Sequence, residues 1–222
     1  MAYTYETRNV THGDQKAWFA KVIQDPETGE ITYGDALEFT GVRAVTAEFK
    51  EDVSDFYADD QVHISLRGVK TCDGSIVTYQ LRKQFLVDHL GKATTTAGAL
   101  LDTGDHANFV FGYMETVTDA FGGNTPEWRI LTNVQASAPT GGSVTDENQI
   151  KPKELTVPIT AKPNQAVLDS KNRPVTEITW RDVDGDATAL IELMFGDSPE
   201  ATVQDVIDVA LGNADITDFL SA

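Results

Sequence analysis

The stretch Thr132-Asn-Val-Gln-Ala-Ser-Ala-Pro-Thr-Gly-Gly-Ser-Val-Thr-Asp-Glu-Asn-Gln-Ile-Lys-Pro-Lys-Glu-Leu-Thr-Val-Pro-Ile-Thr-Ala-Lys-Pro163 decides the reading of this chain. Two β-like segments, Thr132 to Ala136 and Glu154 to Thr160, are joined by a polar connector, and no catalytic residue pattern lies anywhere in it. It reads as architecture.

Outward from there, the chain from Trp18 to Trp180 is mostly strands. Trp18 to Ile23 runs into Asp25-Pro-Glu-Thr-Gly-Glu30, where Pro and Gly mark a turn, and Ile31-Thr-Tyr33 returns as the second half of a hairpin. Val42 to Phe49 alternates without a cleanly apolar face. Val62-His-Ile-Ser-Leu-Arg67 alternates better, which predicts Val62, Ile64 and Leu66 on a buried face and His63 pointing outward. Gly74 to Leu81 reads as a further strand, with Cys72 ending the one before it at an Asp73-Gly74 turn. Lys83 to Gly91 reads as a short helix ending at a glycine suited to the left-handed position after a helix. Strands follow at Ala107 to Thr116, Glu127 to Ala136 and Glu154 to Thr160. Many short strands and one central helix predict a mainly β fold, a β-sandwich or open barrel with a flanking α-helix, over residues 1–181.

The composition changes at Asp182. From there to Ala222 the chain carries ten Asp and Glu and no Lys or Arg, which predicts an acidic C-terminal extension over residues 182–222. Ser198-Pro-Glu200 is a helix start, and Val203, Val206, Ile207 and Ala210 share a face up to Gly212, so a helix is expected at about 199–211. Its apolar face is a candidate subunit contact, packing on the domain or on a neighbour.

Charge and composition exclude several functions. A formal net charge of −18, with 35 acidic against 17 basic residues, does not suit a protein that grips phosphates. The single cysteine, Cys72, has no disulfide partner in the chain and no Cys or His at zinc-ligand spacing. No stretch approaches the ~20 apolar residues of a membrane span, and the first residues lack a signal-peptide core, so a soluble cytoplasmic product without a membrane anchor is expected. Asp182-Val-Asp-Gly-Asp186 suggests calcium, but an EF-hand loop needs a glycine at its sixth position and an acid at its twelfth, where this chain has Ala187 and Leu193. Phosphate loops, His-Glu-x-x-His and Gly-x-Ser-x-Gly patterns do not occur. The expectation is therefore no catalytic, cofactor or metal site and no enzyme activity.

The segment Lys50 to Gln61 is too polar for a continuous buried strand, and it carries Phe56-Tyr57 ahead of Asp59-Asp60. Read as a loop, it places an aromatic tip where another subunit could receive it, since aromatics anchor interfaces. Phe56, Tyr57, Asp59 and Asp60 are the candidate residues of an inter-ring loop.

In their order, several of these segments resemble the major tail proteins of long-tailed phages that infect Gram-positive bacteria. They are the hairpin start, Phe56-Tyr-Ala-Asp-Asp60, Asp88-His-Leu-Gly91, Phe109 to Glu115, Asn133 to Ser137 and Lys153 to Thr160, spanning residues 15 to 181. The resemblance implies a tail-tube β-sandwich or barrel whose copies form hexameric rings stacked into a hollow tube in the virion tail. Its partners would then be copies of itself, other tail components at the tube ends, and double-stranded DNA as passing cargo without specific binding. A tube of this kind conducts the genome during ejection, and an acidic wall would repel the passing polyanion. The charge would otherwise serve solubility and delay polymerisation. The competing reading is a β-sandwich adhesin or carbohydrate-binding decoration module, which needs Trp18, Trp128 or Trp180 exposed to stack on sugar.

Overall fold

The computed structural model describes residues 10–13, 16–51, 53–58, 61–102, 106–141, 153–195 and 198–220. In chain order the elements are β1 (Val10–His12), β2 (Ala17–Gln24), β3 (Ile31–Tyr33), β4 (Leu37–Glu38), β5 (Val42–Lys50), β6 (Val53–Ala58), β7 (Gln61–Arg67) and β8 (Thr71–Thr78). Then come α1 (Lys83–His89), β9 (Lys92–Thr94), β10 (Leu100–Asp102), β11 (Phe109–Thr118), β12 (Asn124–Ala136), β13 (Leu155–Ala161), β14 (Asn164–Leu168), β15 (Pro174–Val175) and β16 (Glu177–Arg181). Three helices close the chain: α2 (Asp186–Glu192), α3 (Val203–Leu211) and α4 (Thr217–Leu220).

The main sheet is antiparallel in the order β3-β2-β11-β12-β13-β8-β5, with β1 added to β11, β4 to β2 and β16 to β12. The opening stretch of the sequence explains its branching. The long strand β12 pairs with β13 through Val134 to Ala136 and with β16 through Glu127 to Leu131, so its two halves serve different neighbours. Alternation along the central strands supplies both faces. Trp18, Ala20, Val110, Met114, Trp128 and Ile130 face one core, while Phe19, Phe109, Phe111, Tyr113, Leu131 and Val134 face the other. Strands at both ends of the sheet contribute to the second core, Leu37 from β4 and Val45, Ala47 and Phe49 from β5, so the sheet curls around it. Helix α1 closes that core with Phe85 and His89, both 0% exposed, and Phe85 meets Phe19 edge to face at 5.1 Å. The fold is mainly β with a flanking helix, as predicted.

Two glycines are fixed by close approach rather than by turns. The Asp73-Gly74 pair expected to be a turn lies inside β8, where a Cβ on Gly74 would sit 2.0 Å from the Thr46 carbonyl oxygen. Cys72 therefore lies within a strand, buried, with its thiol pushed up to about 11 by desolvation and the nearby Glu177 and Asp73 carboxylates. A Cβ on Gly112 would meet the Trp18 ring at 2.3 Å, so its absence lets the indole lie flat on β11.

The C-terminal acidic segment is part of the packed body. Ala187, Leu190, Ile191, Met194, Val203, Val206 and Ile207 share one core with Trp18 and Trp128, so packing runs straight across the change of composition at Asp182. Helix α2 was missed in the sequence because its start is built by Asp182, four residues upstream. That carboxylate is buried and accepts from the Ala187 and Thr188 amides at 3.0 and 2.9 Å and from the Thr188 hydroxyl. The acidic turn is a helix cap. Helix α3 starts later than expected: Thr202, not Ser198, caps it in a reciprocal box with Asp205. Its end at Gly212, in the left-handed conformation at φ 77°, is as read.

Candidate assembly surfaces

Strands β6 and β7 form a two-stranded hairpin that pairs with no other strand among the described residues. The segment read as a loop between Lys50 and Gln61 is thus the outgoing half of an arm. Alternation and β-branched or aromatic residues make it a strand, and the register sets Phe56 opposite Ile64 and Ser54 opposite Leu66. Ile64 and Leu66, expected on a buried face, are 49% and 51% exposed. Phe56 and Tyr57 are 52% and 70% exposed. Asp59 and Asp60 lie outside the described residues, as does the side chain of Val62. The alternation is that of a strand, but the burial expected of Ile64 and Leu66 is not found. No strand among the described residues pairs with the arm to cover it.

The base of the arm is held by charge. Lys50 Nζ lies 2.9 Å from Asp73, and this partner keeps the Asp73 carboxyl below the usual carboxylate range. Lys70 stands over the Phe49 ring at 4.4 Å. Farther out, Ser65 donates to the Asp55 carboxylate across the hairpin.

Helix α3 behaves in the opposite way. Val203, Val206 and Ile207 are 2%, 0% and 1% exposed and Ala210 is half-buried, all against the core of their own chain. The face expected to be a subunit contact is occupied internally, because Val203, Val206 and Ile207 share a core with Trp18 and Trp128.

Three features escaped the sequence reading. The turn between β11 and β12 presents Phe121 at 93% exposure, and the Asp119 carboxylate fixes it by accepting from the Phe121 and Gly123 amides, each at 2.8 Å. Asp119 followed by Gly122-Gly123 is a legible turn signal, although the aromatic at its tip carries no pattern. Across β11, β12 and β16, Arg129 lies 2.9 Å from Glu115 and 3.3 Å from Glu177, and Arg181 lies 3.1 Å from Glu127. Burial pushes the Glu177 carboxyl up, and Arg129 partly offsets the rise. This cluster depends on β16, distant in sequence, pairing beside the β11–β12 hairpin. Beside α1, finally, a cleft of about 640 Å³ is lined by charges of both signs, Lys21, Arg82 and Lys83 with Asp35 and Asp88.

The tryptophans required by the sugar-binding reading are occupied elsewhere. Trp18 and Trp128 are each 1% exposed, Trp128 donates to the Thr188 hydroxyl at 3.0 Å, and Trp180 packs half-buried against the helical core.

A sequence model of the family described as Phage tail tube protein matches residues 1–199, and the chain belongs to that family. It is a structural subunit of the virion tail that assembles with its own copies into a tube. The match runs through α2 and stops short of α3, so it extends beyond the region in which the resemblance was legible. The solved structure of the SPP1 tail tube, from solid-state NMR and cryo EM, is similar over 84% of this chain and 96% of that chain, at 9% identity and a TM-score of 0.35. No curated protein matches the chain.

Proposed function

We propose that copies of this chain close into hexameric rings, that the rings stack head to tail into a hollow tube, and that the β6–β7 arm bridges successive rings. The observation that carries this reading is the arm: a strand pair whose apolar residues are half-exposed and which pairs with no other strand among the described residues. Burying such a face is favourable by about 25 cal/mol per Å² of apolar surface, and a second copy supplies that burial at every ring junction. Ring closure and stacking are two different heterologous contacts, one whose rotation closes and one that repeats along an axis. Strand β5, nine residues long and paired with β8 alone among the described residues, offers an edge for the first.

The tube acts as a passive conduit for DNA ejection into the host and meets other tail components at its ends. With 35 acids against 17 bases, the subunit repels phosphates and releases no counterions to them, so cargo slides without sticking. Replacing residues 51–70 with a two-residue turn joins Lys50 to Thr71, which are already paired across β5 and β8. The expected product melts like the parent and gives rings or monomers but no tubes under the electron microscope. Tubes indistinguishable from the parent's would remove the arm from the stacking contact.

A further inference from the structure

The arm and the β11–β12 turn leave the main sheet at the same end. The register carries one row across four strands: Cys72 lies opposite Ala161, Ala161 opposite Val134 and Val134 opposite Phe109. From that row the arm departs β8 towards lower residue numbers, past the Lys50–Thr71 pair. Because each strand is antiparallel to its neighbour, the same direction leads back along β12 to Asn124 and forward along β11 to Thr118, where the turn closes the hairpin.

That end of the sheet presents apolar side chains to solvent. Phe121 in the turn is 93% exposed, Val10 at the start of β1 is 64% exposed and Val183, just past β16, is 74% exposed. Val10 pairs with Thr118, and the Asp182 amide donates to the Pro126 carbonyl at 2.9 Å, so the three stand on the ends of the neighbouring strands β1, β11, β12 and β16. A single exposed apolar residue is ordinary on a protein surface, whereas several at one end of a sheet mark a contact. The turn also holds its aromatic ready. The Asp119 carboxylate accepts from the Phe121 and Gly123 amides, the Asp119 amide donates to the Gly123 carbonyl at 2.9 Å, and at the base the Thr118 hydroxyl donates to Asn124 Oδ1 at 2.6 Å. An aromatic on a backbone fixed beforehand loses little entropy on docking, which suits it to anchor an interface.

We infer that the β11–β12 turn is a second stacking contact, in which Phe121, flanked by Val10 and Val183, docks on a copy of this chain in the adjacent ring. The inference rests on the proposed stacking role of the arm and adds a rigid contact beside the extended one. Two observations commit the turn to that occupant. The chain belongs to a family whose members build a tube, so its own copies are the partners at hand. The turn shares its end of the sheet with the base of the arm, so the ring that the arm reaches is also the ring that the turn faces.

Phe121→Ser tests this, with Phe121→Leu as the conservative control. The ring stands in solvent and adds little packing to the monomer, so both variants should melt like the parent. Phe121→Ser should raise the critical concentration for tube formation at least about tenfold, and Phe121→Leu by much less. Polymerisation of Phe121→Ser at the parent's concentration would overturn the inference. A photo-cross-linking analogue, benzoylphenylalanine, at position 121 gives a second readout in tubes assembled from equal amounts of isotopically light and heavy chains. Cross-links joining light to heavy chains are expected, and cross-links confined to single chains would sink the contact. The deletion of residues 51–70 separates the two stacking contacts: without its arm the protein should neither stack nor cross-link between copies through position 121. A cross-link that persists in rings of the deletion would move Phe121 to the contact within a ring and overturn its stacking role. Tubes that form from the deletion and are abolished by Phe121→Ser would remove the arm from the stacking contact and leave the turn in it.

Discussion

Helix α3 and the β6–β7 arm carry the same kind of signal and meet opposite fates. Each shows apolar residues at the period of its own secondary structure, Val203, Val206 and Ile207 on the helix and Ile64 and Leu66 on the strand. The first set is buried at 2% exposure or less, and the second stands half in solvent. Periodicity therefore identifies a face that must be covered and is silent on whether the same chain covers it. The acidic composition misleads in the same way. It suggests an extension after Asp182 that packs on the domain or on a neighbour, yet Asp182 itself is buried as the cap of α2, and α2 and α3 complete a core of their own chain.

Truncation after Arg181 is the harshest way to break the contrast. It removes Leu190, Ile191, Val203, Val206 and Ile207, each at most 2% exposed, and each contributes about 1.5–3 kcal/mol by burial. That sum rivals the whole stability of a typical domain, ~5–15 kcal/mol. Loss of cooperative melting is expected. A truncated protein that melts cooperatively and polymerises readily at low salt would instead make the acidic segment an electrostatic brake on assembly.

A matched pair of substitutions sharpens the comparison. Ile207→Ala should lower stability by about 2–5 kcal/mol, because it opens a cavity beneath α3. Ile64→Ala should stay within about 0.5 kcal/mol in the monomer, since its site is already wet, and should show its effect in tube formation. Equal monomer destabilisation by the two in chemical denaturation would mean that the arm is folded back and covered.

The smallest expected effect concerns pH, and it is again confined to the covered side. His89 is 0% exposed, its Nδ1–H donates to the Ala107 carbonyl at 3.0 Å, and Nε2 has no partner among the described residues. Burial holds its pKa below the ordinary value, with the Ala107 bond and Asp88 opposing. The unfolded chain then binds the proton more readily, so this contribution to stability is present above about pH 6.5 and declines as the pH falls below it. His89→Gln should flatten that part of the melting-temperature profile; a profile identical to the parent's would show that His89 does not set it.

What the sequence determined by itself was local. The strands of the hairpin start and of the Phe109 and Thr132 regions, the helix ending at Gly91 and the glycine stop of α3 follow from period, propensity and backbone freedom. These act over a few neighbouring residues. Family order along the chain was legible for the same reason. Tertiary structure decided what depends on residues far apart. It put Gly74 against Thr46 inside a strand and brought Glu177 beside Glu115, Glu127 and Arg129 in one cluster. It also decided which apolar face the chain keeps and which it leaves exposed. Burial is a property of the whole packed body, and one strand's alternation holds no information about what lies across from it.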